Sequence, residues 1–280
     1  MQNPAIDRNR VAWSVVLYLA ICFVATYALF MYVVVVPRSA WAIQIGFFFP
    51  TVAALITLIS LKLPFNELGA RLPAARWFLI AWLLPIGWTL VAYLPVWLIP
   101  SLGGIANTLR HSPNPWGIAL SSAALAVTLG MLEGLPATAG EEFGWNGFLL
   151  PNLAKLFGPR HSIVLVGVIW TVCHYPLLLG PSRGFGPLWY QLLFFTLLSI
   201  NTNIVYGYFR LKSGSTWPSV VGAAVNGVFI YMFADRITGA TAITPWLIGD
   251  FGAFMVIVTG VAAAWCWVAA GRVTVARATG

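Results

Sequence analysis

Charge is scarce in these 280 residues: 8% are Asp, Glu, Lys or Arg, while 60% are hydrophobic. A soluble globular domain carries about 25% charged residues, so most of this surface is expected to face something other than water. The chain has only seven acidic residues and three histidines, which keeps the search for acid–base chemistry short. Its three cysteines, Cys22, Cys173 and Cys266, all fall inside apolar runs. An odd set placed in this way argues against a disulfide framework and against a zinc ribbon. His-Glu-x-x-His does not occur, and one intramembrane histidine with carboxylates makes a poor zinc site. Serine chemistry is weaker still, so a rhomboid-like serine protease is not expected. With no internal repeat, low-complexity tract or long linker, residues 1–280 read as one integral membrane domain.

Long apolar runs are what the chain has in abundance. Crossing a bilayer takes about 20 mostly apolar residues, and the backbone must satisfy its own hydrogen bonds there. The runs are continuous rather than alternating, which selects helices over barrel strands. The expected fold is all-α and polytopic, with about eight transmembrane helices around an intramembrane polar cavity. The spans are expected near residues 12–36, 40–62, 77–99, 117–139, 161–179, 187–209, 217–234 and 247–270. The first run, Val11 to Val36, is too long for a signal-peptide core and reads as a retained helix. Between the fourth and fifth spans, Gly147 to Phe157 is too short to cross and is expected to be re-entrant or interfacial. Pro64 to Arg76 is expected to be a cytoplasmic turn with few ordered contacts. Leu102 to Trp116 is the longest outer loop, where Asn107, Pro113, Asn114 and Pro115 favour turns.

Basic residues orient the chain. With the N-terminus inside, the inner side carries Arg8, Arg10, Lys62, Arg71, Arg76, Lys155, Arg160, Arg210, Lys212, Arg272 and Arg277. The outer side carries Arg38, Arg110, Arg183 and Arg236. Eleven against four puts both termini in the cytoplasm. The net charge of +8 is then a topology signal with some attraction to anionic lipid, and no nucleic-acid partner is implied.

Ionisable groups in a span are costly and therefore functional suspects. Asp7, Glu67, Asp235 and Asp250 lie in tails, loops or span edges, where a solvated role suffices. Glu133, Glu141 and Glu142 cluster near the expected inner end of the fourth span. His111 and His161 sit in loops or at span starts, whereas His174 lies within the fifth span and Asn226 within the seventh. Neighbouring helix residues point about 100° apart, so Glu141 and Glu142 cannot share one task. Water activated by a carboxylate and an imidazole, with an amide to steady an oxyanion, is a minimal hydrolase. Each group also has a plainer role. A glutamate can pair helices, His174 can pack against Trp170 one turn earlier, and Asn226 can join helices. A proton-coupled carrier is less favoured, because paired halves and broken helices are not evident.

The run Glu141-Glu142-Phe143-Gly144-Trp145-Asn146-Gly147-Phe148-Leu149-Leu150-Pro151 resembles the first motif of the CPBP family. These are CAAX-prenyl-protease-like and bacteriocin-processing (Abi) intramembrane proteases, whose first motif is Glu-Glu-x-x-x-Arg. Trp170 and His174 resemble the second motif, an aromatic followed four residues later by histidine. Gly222 and Asn226 fall on the third, His-x-x-x-Asn. The resemblance covers roughly Ala119 to Phe233. It implies Glu141 as base, His174 as its partner, Asn226 as an oxyanion donor and Glu142 as structural. Asn146 stands where the family has arginine, so Glu142 lacks its expected ion-pair partner. Gly222 stands where it has a second active-site histidine, and a lost oxyanion donor costs about 10²–10³ in rate.

Two functions follow as expectations. One is an endopeptidase of the bacterial plasma membrane, needing no cofactor, with a divalent metal left open. Its partners would be the bilayer and a peptide or protein substrate, membrane-associated and lipidated forms included. The other is a pseudoprotease, a peptide-binding or immunity-type scaffold.

Overall fold

The computed structural model describes residues 7–36, 41–179 and 186–273. Arg38, Arg183 and Arg277, used above for orientation, lie outside the described residues. Eight helices among them are long and apolar enough to cross a membrane. They are α1 (Arg8–Val35), α2 (Ala42–Ser60), α3 (Ala75–Leu98), α4 (Pro115–Phe157), α5 (Pro159–Leu178), α6 (Leu188–Ser213), α7 (Trp217–Ile237) and α8 (Ala253–Ala270). No strand accompanies them among the described residues, beyond one isolated bridge between Ile105 and Thr238. The all-α polytopic architecture is therefore as expected. Val24, Leu132 and Val261 are each more than 70% exposed, which suits side chains turned toward lipid rather than water. All three cysteines are free and buried.

The fourth span differs from expectation. Glu141 to Phe157 is not a loop with a separate re-entrant piece, because α4 runs unbroken through it. Asn146, Asn152 and Lys155 interrupt the apolar residues without ending the helix, and its Pro151 falls at the start of an α-helical turn, where a missing N–H costs little. Within α4, Ala126–Gly130 and Phe143–Leu149 adopt the wider π-helical hydrogen-bond pattern. The cluster of Glu133, Glu141 and Glu142 therefore sits mid-helix rather than at an inner end.

Close packing sets α2 against α4. A Cβ on Gly140 would fall 2.7 Å from the Phe47 carbonyl oxygen, and one on Gly144 would fall 2.3 Å from the Pro50 carbonyl carbon. Two small residues four apart let backbones touch, the usual device for joining helices in lipid. Ala53 and Ala54 of α2 are fully buried in the same core.

One end of the bundle is basic and well tied. Arg8 donates to the Leu156 carbonyl, Arg10 to Leu61, Arg71 to Gly214 and Arg160 to Trp267. Pro64 to Arg76 proves ordered, contrary to expectation. Lys155 pairs with Glu67 at 3.2 Å. Arg210 donates to the Glu67 carbonyl, Thr216 to Leu68, Trp217 to Ala70 and Ser215 to Arg71. The physical reason is that the end of α6 and the start of α7 present donors here, and the loop's carbonyls receive them. At the opposite end, Asn114 caps α4 by accepting from the Gly117 amide at 2.9 Å, in keeping with a turn there.

Candidate active site

Helices α4 and α5 form a hairpin that turns at Gly158. Glu141 precedes that turn by 17 residues and His174 follows it by 16. At 1.5 Å per residue, both side chains arrive at about the same height, some 24 Å from the turn. There His174 Nε2 lies 3.2 Å from Glu141 Oε1, with the two side chains only 8% and 13% exposed. The other ring nitrogen, Nδ1, is 2.8 Å from the Trp170 carbonyl. A carbonyl can only accept, so Nδ1 carries a hydrogen. Nε2 is thereby left facing Glu141 Oε1, a geometry in which one proton can pass between them. The Trp170 ring stacks on the imidazole with centroids 3.8 Å apart, and Phe30 closes in at 5.5 Å. This clamp fixes the ring plane.

Glu141, Glu142, Trp170 and Asn226 line one cleft of about 280 Å³. Glu141 also lines an adjoining groove of about 270 Å³ that reaches Glu133 and Gln44. The two adjacent carboxylates do have different surroundings. Glu141 meets His174, whereas buried Glu142 accepts from Asn146 Nδ2 at 2.5 Å. Asn146, fully buried, thus supplies a neutral donor at the position where an arginine was expected. No cation pairs with Glu142 among the described residues. Asn226 Oδ1 accepts from the Trp88 indole at 2.8 Å. That bond fixes which way the amide points and leaves its NH₂ as the donor at the cleft wall.

Gly222 has a counterpart. A Cβ there would fall 2.8 Å from Cε1 of Tyr206, and the Tyr206 hydroxyl donates to the Gly222 carbonyl at 3.2 Å. The tyrosine ring, itself a cleft residue, occupies the room that a side chain at 222 would need.

Several cleft residues were not singled out from the sequence. Ser199, Thr202, Asn203 and Tyr206 of α6 all line it, as does Asp250 from the segment between α7 and α8. A run of polar side chains in the middle of a span was the available signal for α6. Asp250 gave none, because a loop aspartate reads as solvated. It accepts from the Tyr231 hydroxyl. Burial pushes its carboxyl above the usual range, and the Tyr231 hydrogen bond pulls the other way. Among the described residues, no group of three or more His, Cys, Asp or Glu is placed to hold a metal ion. One Gly-x-Ser-x-Gly string does occur, from Gly180 to Gly184, which the sequence reading of serine chemistry passed over; it lies outside the described residues.

Residues 121–229 match the family model of type II CAAX prenyl endopeptidase Rce1-like proteins. Over those residues, and not over the rest, the chain is similar to a CAAX-protease-like domain. The match starts in α4, ends in α7, and takes in Glu141, His174 and Asn226 together with the two departures, Asn146 and Gly222. No curated protein matches the chain.

Proposed function

We propose that this protein is an intramembrane endopeptidase in which Glu141 and His174 activate a water molecule that attacks a peptide carbonyl. The 3.2 Å contact between His174 Nε2 and Oε1 of Glu141, whose side chain lines the cleft, carries the reading. A water held beside this pair gives up its proton to the shared acid–base couple as it attacks. The Asn226 NH₂, held by Trp88, donates to the oxygen that gains charge, and the same couple returns a proton to the departing amine. Glu142, occupied by Asn146, keeps α4 in register. The chemistry asks for no cofactor. Positive-inside bias supports placing the basic end, with both termini, in the cytoplasm of a bacterial cell. The segment holding Asp250, at the opposite end of α8, then lies on the outer side.

Cleavage of a quenched fluorescent peptide library by the protein in nanodiscs, measured beside Glu141→Gln, tests this. Activity that disappears in the variant is the expected result; equal activity in both, or none in either, sinks the proposal.

The second reading is a peptide-binding pseudoprotease, and Gly222 favours it. Restoring histidine at 222 alone is not a fair trial, because Tyr206 stands in its place. The trial is Gly222→His with Tyr206→Ala, and new activity in that pair alone would support the pseudoprotease.

A further inference from the structure

Ala223, Gly227 and Tyr231 follow one another at intervals of four along α7 and so share a face of that helix. All three line both the cleft and the adjoining groove. Asn226 lines the cleft and not the groove, while Ala224, Val228 and Met232 line the groove and not the cleft. The shared face is therefore a ridge between the two spaces, and Glu141 of α4, which also lines both, stands at the same boundary. Gly227 is the low point of this ridge: a Cβ there would have nothing within 4 Å. Packing explains the glycines around it. A Cβ on Gly134 would fall 3.0 Å from Val228 Cγ2, one on Gly130 2.5 Å from Val228 Cγ1, and one on Gly222 2.8 Å from Tyr206 Cε1. Gly227 has no such reason. It lies inside the α-helical stretch Trp217–Phe229, where glycine costs about 1 kcal/mol relative to alanine, and alanine would fit. A glycine of this kind serves the close approach of something that arrives from outside the fold.

We propose that a substrate chain crosses α7 at Gly227, passing from the groove into the cleft, and that the missing side chain sets the size of the substrate residue seated there. Phe47, Ala223 and the Tyr231 ring line both spaces and give the crossing apolar surface, so the residue it takes is large and uncharged, such as phenylalanine. Gly227 adjoins Asn226 in the chain and shares the boundary with Glu141, which puts the seated residue next to the bond that reacts. This deepens the peptidase reading and rests on it for the word substrate, but the seating itself does not depend on cleavage.

The test therefore measures binding in the Glu141→Gln background, full chain in nanodiscs, by fluorescence anisotropy. The probes are labelled apolar decapeptides with phenylalanine at each position in turn, beside the same set with alanine. At one position phenylalanine should bind at least about tenfold more tightly than alanine. Gly227→Ala should reduce that preference and Gly227→Leu, which fills the dip, should reverse it, with folding of each checked by thermal unfolding. Gly227→Ala should melt no lower than its parent; a clear fall would show that the glycine packs and would overturn the proposal. Equal binding of the two peptide sets, or a size preference that survives both substitutions, overturns it as well. Peptide cleavage with Glu141 intact separates the two readings. Cleavage whose size preference ignores residue 227 removes the crossing point and leaves the peptidase. A binding preference that follows residue 227 in a protein that never cuts leaves the crossing point and removes the peptidase.

Discussion

Gly222→His should destabilise the protein, and Tyr206 should be the reason. The built Cβ falls 2.8 Å from Tyr206 Cε1 and 3.2 Å from Cδ1, and the imidazole adds five ring atoms beyond it. Tyr206 is 4% exposed, so its ring has little room to withdraw without losing its bond to the Gly222 carbonyl. Overpacking of this kind costs about 1–3 kcal/mol, which for a chain of this size is roughly 2–8 °C in melting temperature. The assay is built into the protein. Cys22, Cys173 and Cys266 are all buried and free, so a thiol-reactive dye reports unfolding directly. Tyr206→Ala alone should also destabilise, by about 3–5 kcal/mol for a large ring removed from a packed site. In the double variant the histidine fills the space, so the two losses should fall short of their sum by at least about 1 kcal/mol. Strict additivity, or an unchanged melting temperature for Gly222→His, would refute the claim that the two residues compete for one volume.

Two further outcomes follow from the same geometry. Asn226→Ala should lower kcat about 10²–10³-fold with little change in KM, while Trp88→Phe, which removes the indole N–H together with part of the ring, should cost about tenfold or less; steady-state kinetics on any cleaved peptide decides. Gly144→Val should prevent accumulation of folded protein, since Pro50 backbone lies 2.3 Å from the new Cβ, whereas Gly87→Ala, with nothing within 4 Å, should match or slightly exceed the parent in melting temperature.

Span number, helical class and the cleft members Glu141, Glu142, Trp170 and Asn226 were legible in the sequence, because in lipid a polar residue stands out and apolar length is nearly a measurement. What escaped detection depended on three-dimensional proximity. The stretch after Glu142 looked like a loop plus a short helix because its hydropathy alternates with glycine and asparagine, and the α2 backbone that covers it is not visible from α4. Tyr206 was not singled out, because its contact with Gly222 joins two helices and leaves no mark in either sequence. The order of Pro64 to Arg76 depends on carbonyls meeting donors from residues nearly 150 positions away.

The hairpin of α4 and α5 is in effect a pair of calipers hinged at Gly158. Its tips meet only because the two arms hold nearly equal numbers of residues. One residue inserted into either arm would swing its tip by about 100° and lift it by 1.5 Å, enough to part the two side chains without touching either. Substitution along the arms is a question of packing, but length is not negotiable. The π-helical stretch Phe143–Leu149 lies within the longer arm, and such stretches absorb an extra residue in a helix. It is therefore the part of the arm where an inserted residue would disturb the tips least.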